Sequence, residues 1–379
     1  LGFETLRLVL ATQSSFAIDK SKLTINRNKE CGRMPLFSQS FLHDTLDNHR
    51  LTGRDTVTEK SITLDNLTNV SLLESGYLLI EPARMTPDTK HIVISSGVHG
   101  DETAPMESVN QLVTDILTGK VESKHRLLVF FGHPEATLSH SRFVVENLNR
   151  LFGDAPDYSN KETAIALRIK QHIDAFFAGT DPVTRWHFDL HCAIRGSKHY
   201  TFAVSPKTLN PTRSQALVEF MDAAKLEAVL LSNSPSPTCS WYSAENHSAQ
   251  AVTVELGQVA PLWQNDLARI QPFFDALTCL ITDRPLPPQP QSIITYRVNR
   301  TITRHFENFQ FNFAKDVENF TSFELGDVLG HDGEQILTTK VAHEAVVFPN
   351  PNVVVGQRAA LMVCKVATRY ENQQLVYDA

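Results

Sequence analysis

No run of about 18 apolar residues occurs anywhere in the chain, so no segment is expected to cross a membrane as a helix. Positive charge is in short supply. Against 42 Asp and Glu there are 35 Lys and Arg, and the net charge of −7 argues against a nucleic-acid partner, leaving any basic patch local. Cysteine is sparse and unpaired in pattern. Cys31, Cys192, Cys239, Cys279 and Cys364 are an odd count with no C-x-x-C, which points to reduced thiols and the cytoplasm rather than a disulfide framework. A secretory leader is not expected either, because Leu8-Val-Leu-Ala11 is too short for a signal core and Glu4 and Arg7 precede it. There is no internal repeat and no low-complexity tract. The chain opens on Leu1 rather than Met, so its first residue is no guide to a natural start.

What the chain does have is a soluble globular composition, 42% hydrophobic and 20% charged over 379 residues, enough for roughly two domains. Residues 1–40 carry polar clusters such as Asn26-Arg-Asn-Lys-Glu30 and read as an N-terminal extension, partly disordered. From Phe41 to Pro87, short apolar alternations such as Gly76-Tyr-Leu-Leu-Ile80 suggest edge strands. Buried strands are expected in the run that opens at His91 and breaks at Gly97, and at Arg126–Gly132, Trp186–Ile194 and Ala249–Gly257, with further strands at Tyr200–Val204 and Leu226–Leu231. Helices are expected at Pro105–Leu117, Glu162–Phe177, Arg213–Lys225 and Leu267–Ile281. Ser232–Asn246, rich in Ser, Pro and Asn, reads as a long binding loop.

This alternation predicts an α/β domain over residues 41–283 with a largely parallel, mixed sheet flanked by helices. Residues 284–291, with four prolines at 285, 287, 288 and 290, form a stiff linker. Residues 292–379 turn β-like, at Thr295–Thr303, Phe309–Phe313, Val346–Phe348, Val353–Val355 and Ala359–Val366, and read as a smaller all-β domain.

The chemistry gathers around Gly97-Val-His-Gly-Asp-Glu102, between the first buried strand and its helix. An imidazole and a carboxylate three residues apart, His99 and Glu102, can converge on one cation, and such N/O donors suit Zn²⁺. The carboxyl end of a parallel sheet is where α/β proteins place their sites. Alone, H-x-x-E fits an ordinary polar turn as well. His191, at the end of Asp189-Leu-His191, supplies a third candidate ligand. Period-two alternation puts Asp189 on the same face to take the second ring N–H, His187 deeper, and Cys192 on the other face as a packed thiol. Two His and one Glu leave a fourth position open, the arrangement of catalytic zinc. With no second cluster of His and Asp evident, one Zn²⁺ per chain is expected. Glu255, in an apolar strand where a carboxylate is costly without a task, is the candidate base. Arg142 and Arg150 are candidates to stabilise charge developing on oxygen, and Asn149 beside Arg150 could complete a carboxylate-binding pair.

Gly97-Val-His-Gly-Asp-Glu-Thr-Ala-Pro105, Asn147-Leu-Asn-Arg150, Asp189-Leu-His191 and Val254-Glu-Leu-Gly257, in that order, resemble the succinylglutamate desuccinylase and aspartoacylase family, relatives of the zinc carboxypeptidases. The resemblance covers roughly residues 41–370 and is specific as a set. It implies a zinc-carboxypeptidase-like fold, His99, Glu102 and His191 as zinc ligands, and Glu255 as general base. It also implies Arg142 polarising the scissile carbonyl, and Asn149 with Arg150 holding a substrate carboxylate. The extended G-x-H-G-x-E-T-A-P form looks more like the desuccinylases than the aspartoacylases. The aspartoacylases carry a further substrate arginine shortly before the base, where this chain has Tyr242-Ser-Ala-Glu-Asn246. The resemblance therefore implies hydrolysis of N-succinyl-L-glutamate to succinate and L-glutamate, a step of arginine catabolism, with that small molecule as partner and no nucleic acid or membrane. An aspartoacylase-like deacylase, a carboxypeptidase and a non-catalytic dicarboxylate binder are the rival readings. The oligomeric state has no signature in the sequence.

Overall fold

The computed structural model describes residues 36–53, 58–153, 160–288 and 293–377. Residues 1–35 of the expected extension, and residues 289–291 of the expected linker, lie outside the described residues. The described chain opens with helix α1 (Phe41–Thr52), where edge strands were expected. Ser40 caps it by accepting from His43 N, and Phe41, Leu42, Thr45 and Leu46 are buried at helical spacing. Leu36 and Phe37 are buried in the same core, inside the stretch read as extension.

Strands β1 (Lys60–Thr63), β2 (Asn69–Glu74) and β3 (Tyr77–Glu81) then lead to β4 (His91–Ser96), helix α2 (Thr103–Leu117) and β5 (Arg126–Phe131). After α3 (Pro134–Leu138) and α4 (Lys161–Phe177) come β6 (Arg185–Ala193) and β7 (Thr201–Ser205). Next follow α5 (Gln215–Ala223), β8 (Ala228–Leu231), α6 (Cys239–His247), β9 (Gln250–Gln258) and α7 (Gln271–Ile281). The sheet order is β1-β2-β3-β5-β4-β6-β9-β7-β8 through this part, with β5, β4, β6 and β9 mutually parallel. Because β4 is covered on both faces, its residues divide by parity. Ile92 and Ile94 join the core with α2, α5 and α7, whereas Val93 joins the opposite core with α4 and α6.

The expected loop at Ser232–Asn246 contains α6. Thr238 supplies the cap by accepting from Trp241 N, so the Ser/Pro-rich approach stops where the helix begins. Beyond residue 293 the chain is all β: β10 (Ile294–Thr303), β11 (Gln310–Phe311), β12 (Thr321–Phe323), β13 (Val328–Asp332), β14 (Gln335–Thr338), β15 (Glu344–Val347), β16 (Arg358–Lys365), β17 (Thr368–Glu371) and β18 (Gln374–Tyr377). These strands form a C-terminal β domain that continues the main sheet, since β10 pairs parallel with β8 and the order runs on as β10-β16-β15-β12. A shared core of Phe202, Leu230, Tyr296, Phe320, Val347 and Val363 spans the junction. The strand expected at Val353–Val355 is a turn instead. Gln357 N donates to Val354 O, Gly356 takes φ 88°, and Val354 is 69% exposed. Among the described residues no helix is long and apolar enough to cross a membrane.

Candidate active site

Three neighbouring parallel strands deliver the polar cluster at their carboxyl ends. β4 leads directly into the turn carrying His99 and Glu102, while β6 carries His191 and β9 carries Glu255 in register beside it. The turn needs Gly100. A Cβ there would lie 2.2 Å from the Ala136 carbonyl carbon, so only glycine lets this turn pack on α3. Gly100 N also donates to Arg142 O at 3.2 Å, which holds the loop carrying Arg142 over the same turn.

His99, Glu102 and His191 are each 2% exposed, and their ligand-type atoms lie within 4.8 Å of one another. Glu102 Oε1 is 2.9 Å from His99 Nδ1, Oε2 is 2.6 Å from His191 Nδ1, and the two Nδ1 atoms are 3.2 Å apart. Each outer ring nitrogen faces an oxygen. His99 Nε2 is 2.9 Å from Asn147 Oδ1, and His191 Nε2 is 3.0 Å from Asp189 Oδ2. Asn147 Oδ1 also accepts from Asn149 N at 3.0 Å, which fixes the orientation of that amide. With their N–H groups outward, both rings turn Nδ1 lone pairs toward each other and a carboxylate. Such a trio is repulsive unless a cation lies among its members.

The titration of the group says the same. Burial alone would raise the Glu102 carboxyl, but the charges of His99, His191 and Arg142 hold it well below the usual range. Burial would lower His191, yet the Asp189 and Glu102 carboxylates raise it well above the ordinary histidine value. His99 is pushed down to about 4, chiefly by burial. One positive charge is thus favoured where the two Nδ1 atoms meet Glu102. The donor set of two imidazoles and a carboxylate suits Zn²⁺.

Glu255 is 8% exposed, and its Oε2 has no hydrogen-bond partner. Burial, reinforced by the Glu102 charge, pushes its carboxyl up to about 7. Two residues on, Gly257 takes φ 79°, and a Cβ there would lie 2.5 Å from the Tyr200 hydroxyl, so the strand can turn only with glycine. Arg142 Nη1 donates to Glu102 Oε1 at 2.6 Å, so its guanidinium stands against the cluster.

Asn149 is buried. Its Oδ1 accepts from Cys239 N at 2.8 Å at the start of α6, and its Nδ2 lies 3.3 Å from His191 Nε2. Arg150 is partly open to solvent but bonded back to Asn149 O at 2.6 Å. Neighbours crowd its guanidinium. Its pKa falls to about 9, from burial first and then from the charges of Arg358 and Arg142.

The expected Cys192 thiol donates to Leu256 O at 3.4 Å and takes no part in the cluster. The expectation of no second His/Asp group needs correction, because His187, Asp189 and Cys239 lie together beneath the first. The first two are engaged in hydrogen bonds. His187 Nε2 meets Ser95 Oγ at 2.8 Å and its Nδ1 meets Ser243 Oγ at 2.8 Å, while Asp189 Oδ1 accepts from Ser95 at 2.7 Å. This group braces the ring of His191. Sequence reasoning gave no role to Asn147 or Ser95. Asn147 stood inside a quoted motif, but nothing local marks which asparagine reaches a histidine on another element.

A mixed α/β sheet with this cluster at the carboxyl ends of its parallel strands, continued into a β domain, belongs to the zinc-carboxypeptidase-like class of folds. The comparisons with known proteins narrow that class. Residues 88–281 match the succinylglutamate desuccinylase/aspartoacylase catalytic domain, and residues 291–366 match the AstE/AspA barrel-sandwich hybrid domain. A Vibrio parahaemolyticus protein named succinylglutamate desuccinylase is 53% identical over 343 residues, covering 90% of this chain and 99% of that protein. The crystal structure of succinylglutamate desuccinylase from that organism superposes with a TM-score of 0.87 at 53% identity, covering 91% of this chain and 100% of the other. The Chromobacterium violaceum succinylglutamate desuccinylase structure gives 0.74 at 31% identity, covering 86% and 98%. The chain belongs to the succinylglutamate desuccinylase/aspartoacylase family.

Proposed function

We propose that the chain is a zinc-dependent hydrolase that cleaves the amide of N-succinyl-L-glutamate to succinate and L-glutamate. The observation that carries the reading is the convergence of His99 Nδ1, Glu102 and His191 Nδ1 with the unpartnered, proton-accepting Glu255 on the next strand. The names and high identity of the relatives support the choice of substrate.

One zinc ion would be held by His99, Glu102 and His191, and when bound it supplies Lewis-acid polarisation of the carbonyl and acidifies water. Glu255 takes the proton from the attacking water. A carboxylate pushed toward neutrality by burial is a strong enough base for this and a strong enough acid for the next step. The water oxygen bonds to the succinyl carbonyl carbon, and negative charge develops on the carbonyl oxygen, which the Arg142 guanidinium beside Glu102 stabilises. Glu255 then returns its proton to the amide nitrogen. The C–N bond breaks, and succinate and the glutamate amine leave. Arg150, braced by Asn149, grips a substrate carboxylate.

A role in arginine catabolism is what the family resemblance implies. A cytoplasmic setting fits the four described cysteines, which are all free. The test is metal analysis followed by an assay of glutamate release. Stoichiometric zinc with rapid turnover of N-succinyl-glutamate is expected. Faster turnover of N-acetyl-aspartate would move the chain to the aspartoacylase reading, and zinc without turnover of any N-acyl amino acid would make it a binder.

A further inference from the structure

Arg142 stands against Glu102, but apolar packing does not hold the loop that follows it. Phe143, Val144 and Val145 are 38%, 40% and 58% exposed, and none of them joins either core of the α/β domain. Polar contacts must then fix the loop, and they come from the first turn of α4. Glu162 is fully buried, and its Oε1 accepts from Val144 N and from Val145 N, each at 2.8 Å. The same oxygen lies 3.2 Å from His133 Nε2. His133 Nδ1 accepts from Ala136 N at 3.4 Å as the cap of α3, which leaves the ring proton on Nε2 and aims it at Glu162.

The neighbours of Glu162 extend the same attachment. Asn160, the cap of α4, donates from Nδ2 to Glu146 Oε2 at 2.8 Å, and Lys161 Nζ meets Glu135 Oε1 of α3 at 2.7 Å. Residues 144, 145 and 146 are thus tied one after another to the start of α4, while Gly100 N holds Arg142 O from the other side. Hydrogen bonds to an ionised acceptor are roughly twice as strong as neutral ones. Burial alone would raise the Glu162 carboxyl, but the Val145 amide, His133 and the Val144 amide hold it below the usual range. A buried carboxylate is costly unless it is paired, and two of the three groups paired with this one belong to the loop beside Arg142.

We propose that Glu162 is a positioning residue for catalysis, which holds the loop of residues 143–146 so that the Arg142 guanidinium meets the charge developing on the scissile carbonyl. The inference rests on the role given to Arg142 above. Glu162 touches neither the ligand cluster nor Arg142 itself, and it acts through the backbone that carries Arg142 into the site. Its effect should therefore fall on the chemical step and vanish when the Arg142 side chain is removed.

The test measures kcat and KM on N-succinyl-glutamate, zinc content and a thermal melt for each variant. Glu162→Met fills the buried space, removes the acceptor and leaves the Val144 and Val145 amides to turn to water. It is expected to lower kcat roughly 10- to 100-fold, the scale of a catalytic group displaced by about 1 Å, with KM within a few-fold and zinc retained. Glu162→Gln keeps an oxygen for both amides, and its nitrogen replaces Oε2, which has no hydrogen-bond partner among the described residues, so kcat should return close to the parent value. In an Arg142→Ala background, Glu162→Met should cost less than about threefold more in kcat. Parental kcat in Glu162→Met, an equal loss in Glu162→Gln, or a full further loss on top of Arg142→Ala would each overturn the proposal. Zinc lost with activity would mean that Glu162 acts through Asn147 and the metal, and would overturn it too. Should Glu162→Met fail to fold, Glu162→Asp, which keeps the charge but draws it back by one bond, takes its place with the same expected pattern and the same refuting outcomes. Failure of the unaltered enzyme on N-succinyl-glutamate, or parental kcat in Arg142→Ala, would remove the reading of the site and this inference with it. A kcat loss in Arg142→Ala with parental kcat in the Glu162 variants removes this inference alone.

Discussion

Replacing Glu255 with Gln separates the chemistry of this site from its architecture. The substitution keeps side-chain volume and removes the proton acceptor. General-base contributions are of order 10²–10⁴-fold, roughly 3–5 kcal/mol of barrier, and we predict a kcat loss in that range with zinc content and substrate binding retained. The structure adds a second, independent readout. Glu255 Oε2 has no hydrogen-bond partner to lose, and the carboxyl is raised from 4.5 to about 7 by burial and by Glu102. A shift of that size means ionised Glu255 destabilises the metal-free fold by about 3 kcal/mol. The sign follows from proton counts. Between pH 4.5 and about 7 the folded chain keeps a proton that the unfolded chain has released, so the penalty grows through that window and is full above it. In zinc-stripped protein at pH 8, Glu255→Gln should therefore melt at or above the parent, and the difference should shrink toward pH 4.5. The assays are metal analysis, steady-state kinetics and thermal melts on one preparation. Zinc lost with activity would make Glu255 a ligand. Activity within about tenfold would place the base elsewhere, and a variant that melts well below the parent would mean the carboxylate has a structural partner.

Three further outcomes are expected. Asn147→Ala and Asp189→Ala each remove the acceptor that orients a ligand histidine, and each should weaken zinc affinity roughly 10- to 100-fold in competition with a chelator; unchanged affinity would dismiss the bracing role. Arg150→Ala should mainly raise KM and Arg142→Ala mainly lower kcat, because only Arg142 stands where charge develops; the reverse pattern in steady-state kinetics would exchange their roles. His91 and His125, at the far ends of β4 and β5, have pKa values lowered from 6.5 to about 4, by burial first and then by nearby cations. The unfolded chain takes up these protons before the folded one, so stability should fall as pH drops from about 6.5 toward 4, and a flat melting temperature across that window would refute it.

How far the sequence carried this account depends on how local each cause was. The β4, β5, β6 and β9 strands were readable because burial on both faces forces unbroken apolar runs such as Leu127-Leu-Val-Phe-Phe131. The recurrence of Gly97-Val-His-Gly-Asp-Glu102, Asp189-Leu-His191 and Glu255 at strand ends marked one site for the same reason. Helices α1 and α6 were missed because their apolar faces are short and their flanks are rich in turn formers. Ser40 and Thr238, which cap them, signal equally well for a loop. The parallel pairing of β8 with β10 has no local sign at all, since residues 228–231 meet residues 294–297 only after the intervening chain has folded.

That pairing also explains why the attachment of the β domain could not be read. His99, Glu102, His191 and Glu255 are set by strands whose positions follow from one buried sheet. The β domain is held against them because Arg195, just past the end of β6, donates to Val317 O and Pro349 O. The inner layer must hold one cation against three carboxylates, Glu102, Asp189 and Glu255, with Arg142 balancing part of their charge. Its composition therefore suits a metal ion. The sequence shows these charges, but only the folded sheet shows that they meet at the ends of β4, β6 and β9.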